Sequence, residues 1–299
     1  MGGRQEVNDQ AQRLRELARQ KQVENTASER VVNAVPTELI KCRSIAVTSG
    51  KGGVGKTNIA LFLAVTLSTA RKRVLLMDAD LGLANVHILL GMAPANNISH
   101  FIDGDCRLEE VICRGPGGFD ILPGASGLEK LANIDIGRLE LLQKEFSKLE
   151  KDYDYLLIDT GAGIGASVTQ FASRADTVLL VMTPEPTSLA DAYAMVKVLY
   201  EKGTRKIAVL VNMATSEKEG TETFDRLNAL VVKFLKKPLE MVGTLPVSRD
   251  LSRSVRRQQV LILEKGQEQM AARVQAIIRK LSGLTFTGRQ SFFSRFLGR

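Results

Sequence analysis

Short apolar runs alternate along this chain with longer segments in which apolar residues recur every three or four positions. The runs predict strands at 44–48, 73–77, 119–122, 155–158, 177–182, 206–211 and 241–245. The longer segments predict helices at about 55–70, 137–151, 166–173, 188–202, 221–236 and 265–281. Strands and helices that alternate in this way are typical of an α/β fold.

Two of the predicted strands, at 74–77 and 178–181, contain only apolar residues and lack the alternation of a half-exposed strand. Such continuous runs indicate strands that are buried on both faces, as in a parallel sheet. We therefore predict a mostly parallel sheet of about seven to eight strands, flanked by helices on both sides.

The apolar pattern divides the chain into three parts. Residues 1–43 hold few apolar positions and predict a weakly amphipathic helix at 9–22, followed by a linker-like stretch. Residues 44–282 carry the strand and helix pattern of one domain, and residues 283–299 form a separate C-terminal segment. The N-terminal helix fits either a partner-binding tail or a helix that lies on the main domain.

The C-terminal segment combines an apolar helix face with positive charge. No acidic residue follows Glu268, whereas six basic residues occur from 269 to 299. A helix that starts near Gln290 would place four large apolar side chains on one face, namely Phe292, Phe293, Phe296 and Leu297. This composition is typical of an interfacial helix on anionic lipid. Packing of the same face on the protein itself is the alternative, and the two combine if a conformational change releases a docked helix.

Composition narrows the class of protein further. The 299 residues are 44% hydrophobic and 25% charged, as in an ordinary globular protein. The formal net charge of +8 favours an acidic partner surface, such as anionic lipid or nucleic acid. The three cysteines form no CxxC pattern, so neither a disulfide framework nor a zinc site is predicted. The polar start and the lack of a long apolar run predict a cytoplasmic protein whose membrane contact is peripheral.

A glycine-rich stretch lies between the first predicted strand and the first predicted helix. It reads Gly50-Lys51-Gly52-Gly53-Val54-Gly55-Lys56-Thr57 and is followed by Asn58. In this context the main-chain N–H groups of the loop close around phosphate, and the positive end of the helix adds to the attraction. Lys56 would reach the β- and γ-phosphates, and the Thr57 hydroxyl would bind Mg²⁺. We predict a nucleotide site, a chance glycine turn being the alternative.

Carboxylates follow two of the predicted strands. Asp159 ends one strand, while Asp78 and Asp80 end another. Beside a phosphate loop, one carboxylate can hold Mg²⁺ or its waters, and another can orient the attacking water. Aspartates at strand ends are also common helix N-caps, which is the simpler interpretation. Three of them on two strands favour hydrolysis of a nucleoside triphosphate.

Two further strand ends bear on the choice of base. Asn212 follows one late strand, and Pro246 follows the last. The Asn-Lys-x-Asp run of guanine-selective proteins is absent, because Met213 and Ala214 follow Asn212. The Asn212 carboxamide can pair with the N6 and N7 edge of adenine. The sequence therefore favours ATP, although Asn212 also suits a strand-end turn.

The phosphate loop carries an additional lysine near its start, as in a deviant Walker A motif. With Asp78-Ala79-Asp80-Leu81-Gly82 and Leu156-Leu157-Ile158-Asp159, it resembles the MinD/ParA family of P-loop ATPases from about 44 to 282. The resemblance implies an ATP-dependent homodimer in which Lys51 reaches the phosphates of the partner subunit. It also implies that Asp80 positions water, that Asp78 and Asp159 support Mg²⁺, and that Asn85 makes a polar contact in a switch region.

The start of the chain carries a second resemblance. Asp9-Gln10-Ala11-Gln12-Arg13-Leu14-Arg15 is similar to the tail of the MinD-like ATPases that control flagellar number and placement, the FlhG (YlxH or FleN) group. In that group the tail stimulates the flagellar SRP-type GTPase FlhF. The resemblance implies that Gln10 enters the GTPase active site, while Leu14 and Arg15 dock the helix.

We therefore expect a Mg²⁺-dependent ATPase switch that binds ATP and ADP and acts at the inner face of the bacterial cell membrane. Its expected partners are a second copy of the chain, FlhF and anionic lipid, with flagellar C-ring proteins as a further class and nucleic acid not expected. A DNA-partitioning ParA-type ATPase is an alternative that would explain the net charge of +8. A division-site MinD is another, and it would not need the N-terminal extension.

Overall fold

The computed structural model describes residues 42–80, 85–124, 136–283 and 291–298. The predicted N-terminal helix and linker lie outside the described residues, as do Gln10, Leu14 and Arg15. No helix among the described residues combines the length and the apolar content that crossing a membrane requires.

Eight strands form one sheet in the described part of the chain. In chain order they are β1 (Arg43–Ser49), β2 (Val74–Ala79), β3 (Cys113–Arg114), β4 (Asp120–Leu122), β5 (Tyr155–Ala162), β6 (Thr177–Met182), β7 (Ile207–Ala214) and β8 (Glu240–Pro246). Their order across the sheet is β3-β4-β2-β5-β1-β6-β7-β8. Only the β3–β4 pair among them is antiparallel, so the predicted mostly parallel sheet is confirmed.

Helices connect most of these strands. The described ones are α1 (Lys56–Thr69), α2 (Val86–Leu89), α3 (Ile98–Asp103), α4 (Leu108–Val111), α5 (Ile136–Lys151), α6 (Ala166–Arg174), α7 (Pro186–Glu201), α8 (Glu217–Leu235), α9 (Arg249–Arg256), α10 (Glu268–Gly283) and α11 (Phe292–Leu297). All seven predicted strands and the six helices predicted between residues 55 and 281 are present. The pattern missed β3, the short helices α2 to α4, and α9, because elements this short show no clear periodicity.

The sheet separates two apolar cores, which explains the continuous apolar strands. Ile45 and Val47 of β1 face a core that α1 and α10 cover, whereas Ala46 faces the core of α5, α6, α7 and α8. Each strand side chain therefore finds an apolar layer on its own side. Helix α1 is apolar on nearly all sides because it is buried almost completely from Ile59 to Leu67.

The parallel strands bring the candidate residues to one edge of the sheet. Strand β1 lies between β5 and β6, and the chain leaves β1 through α1 toward β2, on one side. From β5 the chain crosses through α6 to β6, which lies on the opposite side of β1 from β2 and β5. Ligands in such sheets bind beyond the carboxyl ends of the strands where connections diverge in this way. The phosphate loop follows β1 at that point.

Candidate functional site

The phosphate loop needs glycine at two positions with left-handed backbone. Gly53 has φ of +79° and Gly55 has φ of +90°, a region that other residues rarely adopt. A Cβ atom on Gly55 would also lie 2.7 Å from Nδ2 of Asn212. Any larger residue at Gly55 would therefore be both strained and crowded.

The loop leads into the N-terminus of α1 without a side-chain cap. Gly55 is the N-cap residue and offers no side chain to the N–H groups of the first turn. Such N–H groups need an acceptor, and the helix dipole favours a negative one. The loop and α1 therefore present a site for phosphate oxygens.

A cavity of about 420 Å³ opens beside this helix end. Eight residues singled out in the sequence line it, namely Gly52, Gly53, Gly55, Lys56, Thr57, Asn58, Asp80 and Asn85. They come from the phosphate loop, the start of α1 and the segments on either side of 81–84. The structure thus brings together the phosphate loop and the predicted water-positioning aspartate.

Six further lining residues carry no motif and were missed, namely Ile88, Leu89, Thr160, Ala162, Met213 and Leu251. Apolar side chains in α2 and α9 give no signal of ligand contact in a sequence. Met213 is the one with a structural mark, because its φ of +58° is unusual for a residue other than glycine. Backbone of this kind often occurs at ligand sites.

Lys56 and Asp159 are buried groups of opposite charge that interact electrostatically near the cavity. The exposed fraction is 9% for Lys56 and 2% for Asp159. Burial lowers the pKa of Lys56, and the nearby charges of Asp159 and Asp80 oppose that change. Burial raises the pKa of Asp159 from 3.8 to about 7, against the effects of Thr57 and Lys56. Both charges therefore lie where water solvates them poorly.

The two predicted metal-supporting aspartates have different surroundings. Asp78 and Asp159 lie opposite each other in the register of β2 and β5. The carboxylate of Asp78 accepts hydrogen bonds from the N–H groups of Val86 at 3.0 Å and Asp80 at 3.3 Å. By contrast, Oδ1 of Asp159 is buried and accepts no hydrogen bond from the described residues. Asp78 therefore ties together both ends of the segment 81–84, whereas Asp159 has an oxygen without a partner.

The oxygen atoms at this edge suit a Mg²⁺ site that is completed by water and phosphate. They do not suit a metal site in which the protein supplies every ligand. No group of three or more His, Cys, Asp or Glu side chains within the described ranges could hold a metal. Mg²⁺ usually takes one or two protein oxygens and completes its shell with water and substrate phosphates. The Thr57 hydroxyl and the unpartnered Asp159 oxygen are oxygens of that kind beside the phosphate loop.

Asp80 lies at the mouth of the site. It lines the cavity, and a Cβ atom on Gly161 would lie 3.3 Å from its Oδ1. Gly161 lies near the end of β5, and the N–H of Gly163, just after β5, donates to Ser49 O at 3.0 Å. Asp80 therefore lies beside the phosphate loop and the end of β5.

Lys51 does not line the nucleotide cavity. Its Nζ donates to Oε2 of Glu185 at 2.5 Å and to Oγ1 of Thr187 at 3.0 Å. Both acceptors lie at the start of α7, and Lys51 is not among the residues that line the cavity. Of the two lysines in the loop, Lys56 lines the cavity and Lys51 binds the start of α7.

Four other predicted site residues, Gly50, Val54, Asn212 and Pro246, are not among the residues that line the cavity. The amide of Asn212 donates from Nδ2 to Val54 O at 2.8 Å, which holds the phosphate loop against β7. A Cβ atom on Gly50 would lie 2.2 Å from Asp191 O, so α7 can approach only a glycine there. Pro246 ends β8 and is not among the lining residues. The predicted pairing of Asn212 with adenine stays a prediction.

The predicted membrane helix is present as α11 and packs against α5 and α6. Three of its four large apolar side chains are buried, with exposed fractions of 1% for Phe292, 0% for Phe293 and 6% for Leu297. Phe293 stacks on Phe146 of α5 with ring centroids 4.3 Å apart. Phe296 stacks on Phe171 of α6 at 4.4 Å. The apolar face of α11 is thus covered by the protein itself.

Polar contacts hold both ends of α11. At its start, the buried carboxylate of Glu150 accepts from the N–H groups of Phe292 at 2.9 Å and Phe293 at 3.4 Å. At its end, Arg295 pairs with Asp176 at 2.7 Å. The Arg174 guanidinium donates to the carbonyl of Arg295 at 2.6 Å. Charged groups on the core therefore fix the position of this helix.

Comparisons with known proteins agree with the fold and with the family resemblance. A family model described as an AAA domain matches residues 42–209, which is more than half of the chain. With its phosphate loop and parallel sheet, the chain belongs to the MinD/ParA family of P-loop ATPases. It is 43% identical over 218 residues to the antiactivator FleN of Pseudomonas aeruginosa, covering 73% of this chain and 78% of that protein. It is 38% identical over 219 residues to the flagellum site-determining protein YlxH of Helicobacter pylori, covering 73% and 74%.

Solved structures of the family share the fold. The cell division protein MinD of Aquifex aeolicus is 27% identical, with a TM-score of 0.64 over 82% of this chain and 99% of that one. MinD of Pyrococcus horikoshii, solved as a complex with Mg-ADP, is 24% identical, with a TM-score of 0.64 over 81% and 98%. The second of these supports the fold alone.

Proposed function

We propose that this protein is a Mg²⁺-dependent ATPase switch that dimerises on ATP, binds membranes reversibly and regulates flagellar number and placement. The observation that carries the ATPase assignment is the burial of both Lys56 and Asp159 beside an uncapped helix end. Burial of an unpartnered carboxylate oxygen costs free energy, so such a group is retained where a ligand completes it.

The residues of the site divide the chemistry between them. The N–H groups of the phosphate loop and Lys56 bind the phosphates and stabilise the charge that develops on them. Thr57 and Asp159 would hold Mg²⁺, which screens that charge when it is bound. Asp80 lines the cavity and would orient the attacking water toward the terminal phosphate.

The orientation of Lys51 supports activation by dimerisation. In one subunit Lys51 is bound to Glu185 and Thr187, so its charge is not directed at its own cavity. A lysine that reaches the phosphates of a second subunit adds a cation to the transition state only after the dimer has formed. Hydrolysis then depends on ATP-driven association.

Lys51→Ala separates turnover from binding. We expect the ATPase rate to fall about a hundredfold, as for loss of one transition-state donor. The affinity of the monomer for ADP should change by less than about threefold, because Lys51 does not line the cavity. Steady-state hydrolysis and fluorescent ADP titration measure the two effects, with Lys72→Ala as the control. Loss of ADP affinity in Lys51→Ala would contradict the cross-subunit role.

Helix α11 supplies the proposed membrane contact when it leaves its groove. Four large apolar side chains gain about 1.5–3 kcal/mol each from full burial, in the groove as in lipid. The apolar contribution therefore nearly cancels between the two locations. The contacts of Glu150 and Arg295 then decide whether the helix stays docked.

Sedimentation with liposomes tests this switch. The full chain should pellet with vesicles of anionic lipid in ATP and much less in ADP, and a chain that ends at Leu281 should not pellet in either. Equal pelleting of both chains would contradict the membrane role of α11. Binding of ATP-bound protein to DNA in place of vesicles would favour the partitioning alternative, which the net charge of +8 suggests.

The flagellar assignment rests on the FleN and YlxH relatives and on the N-terminal motif. We propose that Gln10, Leu14 and Arg15 stimulate the SRP-type GTPase FlhF. Gln10→Ala in the full chain should remove the stimulation of GTP hydrolysis, whereas Gln12→Ala should keep it. An equal effect of both variants would argue against a specific role for Gln10.

A further inference from the structure

A second cavity, of about 640 Å³, lies apart from the nucleotide cavity. Its walls are the residues that follow α2, the β3–β4 turn and the segment after α9. None of its lining residues belongs to the phosphate loop or to the aspartates of the ATPase site. The proposed function gives this cavity no task.

The walls combine positive charge, one unsatisfied acceptor and an apolar surface. Arg257 and Lys265 form no ion pair with the described residues, whereas Arg114 pairs with Asp120 at 2.8 Å. Oε1 of Glu264 is buried and has no hydrogen-bond partner within the described part of the chain. Leu263 is 48% exposed beside these groups. A ligand that complements these walls would therefore carry an anion, a hydrogen-bond donor and an apolar group.

A peptide segment with acidic side chains supplies all three. Its carboxylates complement the guanidinium and ammonium groups, and its main-chain N–H can donate to the Glu264 carboxylate. An apolar side chain of the same segment would cover Leu263. An inorganic anion would satisfy only the cations, and it would be repelled by Glu264.

The cavity is connected to the nucleotide site through Gln258. This residue lines the second cavity and has φ of +57°, which is unusual for glutamine. Its Nε2 donates to the carbonyl of Ile88 at 3.0 Å, and Ile88 lines the nucleotide cavity. At the other end of the same short helix, the N–H of Val86 donates to Asp78. A movement of α2 thus changes both cavities.

We propose that this second cavity binds an acidic peptide segment of a partner protein and couples its binding to the nucleotide through Gln258 and α2. Coupling of this kind is reciprocal, so the nucleotide changes the affinity for the peptide by the same factor as the peptide changes the affinity for the nucleotide. The proposal does not depend on the identity of the flagellar or membrane partners.

Fluorescence anisotropy on the full chain tests the site. The probe is a fluorescein-labelled peptide Asp-Glu-Leu-Asp-Glu-Leu, and the comparison peptide carries lysine at each acidic position. We expect Arg257→Glu to weaken binding of the acidic probe about tenfold or more. The matched control Arg256→Glu, next to the cavity but not lining it, should change binding less than about twofold. Equal losses in both variants, no binding at millimolar protein, or equal binding of the basic peptide would overturn the proposal.

Competition and coupling sharpen the result. Unlabelled peptide should displace the probe, and inorganic phosphate at the same ionic strength should not; displacement by phosphate would overturn the peptide assignment. The affinity for the probe should differ between ATP and ADP by about fivefold or more in the unmodified chain. Gln258→Ala should bind the probe but lose that difference. A difference that persists in Gln258→Ala would overturn the role of Gln258.

Discussion

The nucleotide edge of the sheet and the groove under α11 both bury charged groups, but they treat them differently. At the nucleotide edge, Lys56 and Asp159 are buried while Oδ1 of Asp159 has no hydrogen-bond partner among the described residues. In the groove, Glu150 accepts two N–H groups from α11, and Arg295 pairs with Asp176. One region leaves a buried carboxylate oxygen without a partner among the described residues, whereas the other pairs its buried charges within the chain.

This difference separates a binding site from a docking contact. An unpaired buried polar atom costs free energy that a ligand can recover, so it marks a site that expects one. A paired buried charge stabilises the element that carries it against removal. The groove under α11 therefore keeps this helix docked on the protein, and the proposed membrane role requires that these contacts break first.

The largest expected effect comes from Lys56→Ala at the nucleotide edge. Removal of a charged donor to phosphate should weaken ATP binding about a hundredfold, because hydrogen bonds between charged groups are worth about 1.5–3 kcal/mol. Isothermal titration with ATP and Mg²⁺ measures the loss. Lys72→Ala, an exposed lysine after α1, should bind ATP as the unmodified chain does. Retained affinity in Lys56→Ala would break the assignment of this edge.

A smaller effect is expected from Glu150→Gln in the groove. The amide has one acceptor oxygen where the carboxylate has two, so the N–H groups of Phe292 and Phe293 lose part of their pairing. Docking should weaken by about 1–2 kcal/mol, which raises the fraction bound to anionic vesicles in ADP about tenfold. Vesicle sedimentation measures it.

The matched control for this variant is Glu145→Gln on the same helix. Glu145 pairs with Lys148 at 2.7 Å and makes no hydrogen bond or ion pair with the described residues of α11. It should leave vesicle binding unchanged. If both variants pellet alike, or if Glu150→Gln stays in the supernatant, the polar contacts do not control release.

The smallest expected effect is on stability, from Asp159→Asn in the nucleotide-free protein. Burial raises the pKa of Asp159 from 3.8 to about 7. The stability that this group contributes is therefore fully present below 3.8 and is lost as the pH rises toward 7. This loss does not occur in Asp159→Asn, because the amide does not ionise. The variant should therefore be more stable than the unmodified chain by about 1 kcal/mol at pH 8, and its ATP binding should be impaired.

Thermal unfolding of the variant and the unmodified chain between pH 5 and pH 8 measures this effect. The linkage relation gives the pH dependence of the free energy of unfolding from the raised pKa. The difference between the variant and the unmodified chain should grow as the pH rises. Asp152→Asn, on an exposed loop, should give a parallel curve. If the variant is less stable than the unmodified chain at every pH, the Asp159 carboxylate makes a stabilising contact in the nucleotide-free protein.

Much of the site could be predicted because parallel strands end at the same edge. Asp78 and Asp159 are far apart in the chain, yet their strands pair in register and bring them side by side. The positions of Gly53 and Gly55 followed from the turn between a strand and a helix. Leu251 and Met213 could not be predicted as lining residues, since apolar side chains look alike whether they face a core or a ligand.

The apolar face of α11 also shows that a sequence pattern does not reveal what an apolar surface contacts. Periodicity correctly placed Phe292, Phe293 and Leu297 on one helix face. It could not show what covers that face, because lipid and a protein groove select the same side chains. The direction of Lys51 was implied only by a family resemblance, and its pairing with Glu185 joins residues 134 positions apart.

The sequence alone determined what depends on near neighbours: the strands and helices, the phosphate loop and the amphipathic end. Tertiary structure decided which Asp159 oxygen lacks a partner, where Lys51 points and that α11 is docked. The Glu150–Phe292 hydrogen bond joins residues 142 positions apart. Pairing and burial at such distances depend on the packing of the whole sheet, whereas backbone preference and periodicity act within a few residues.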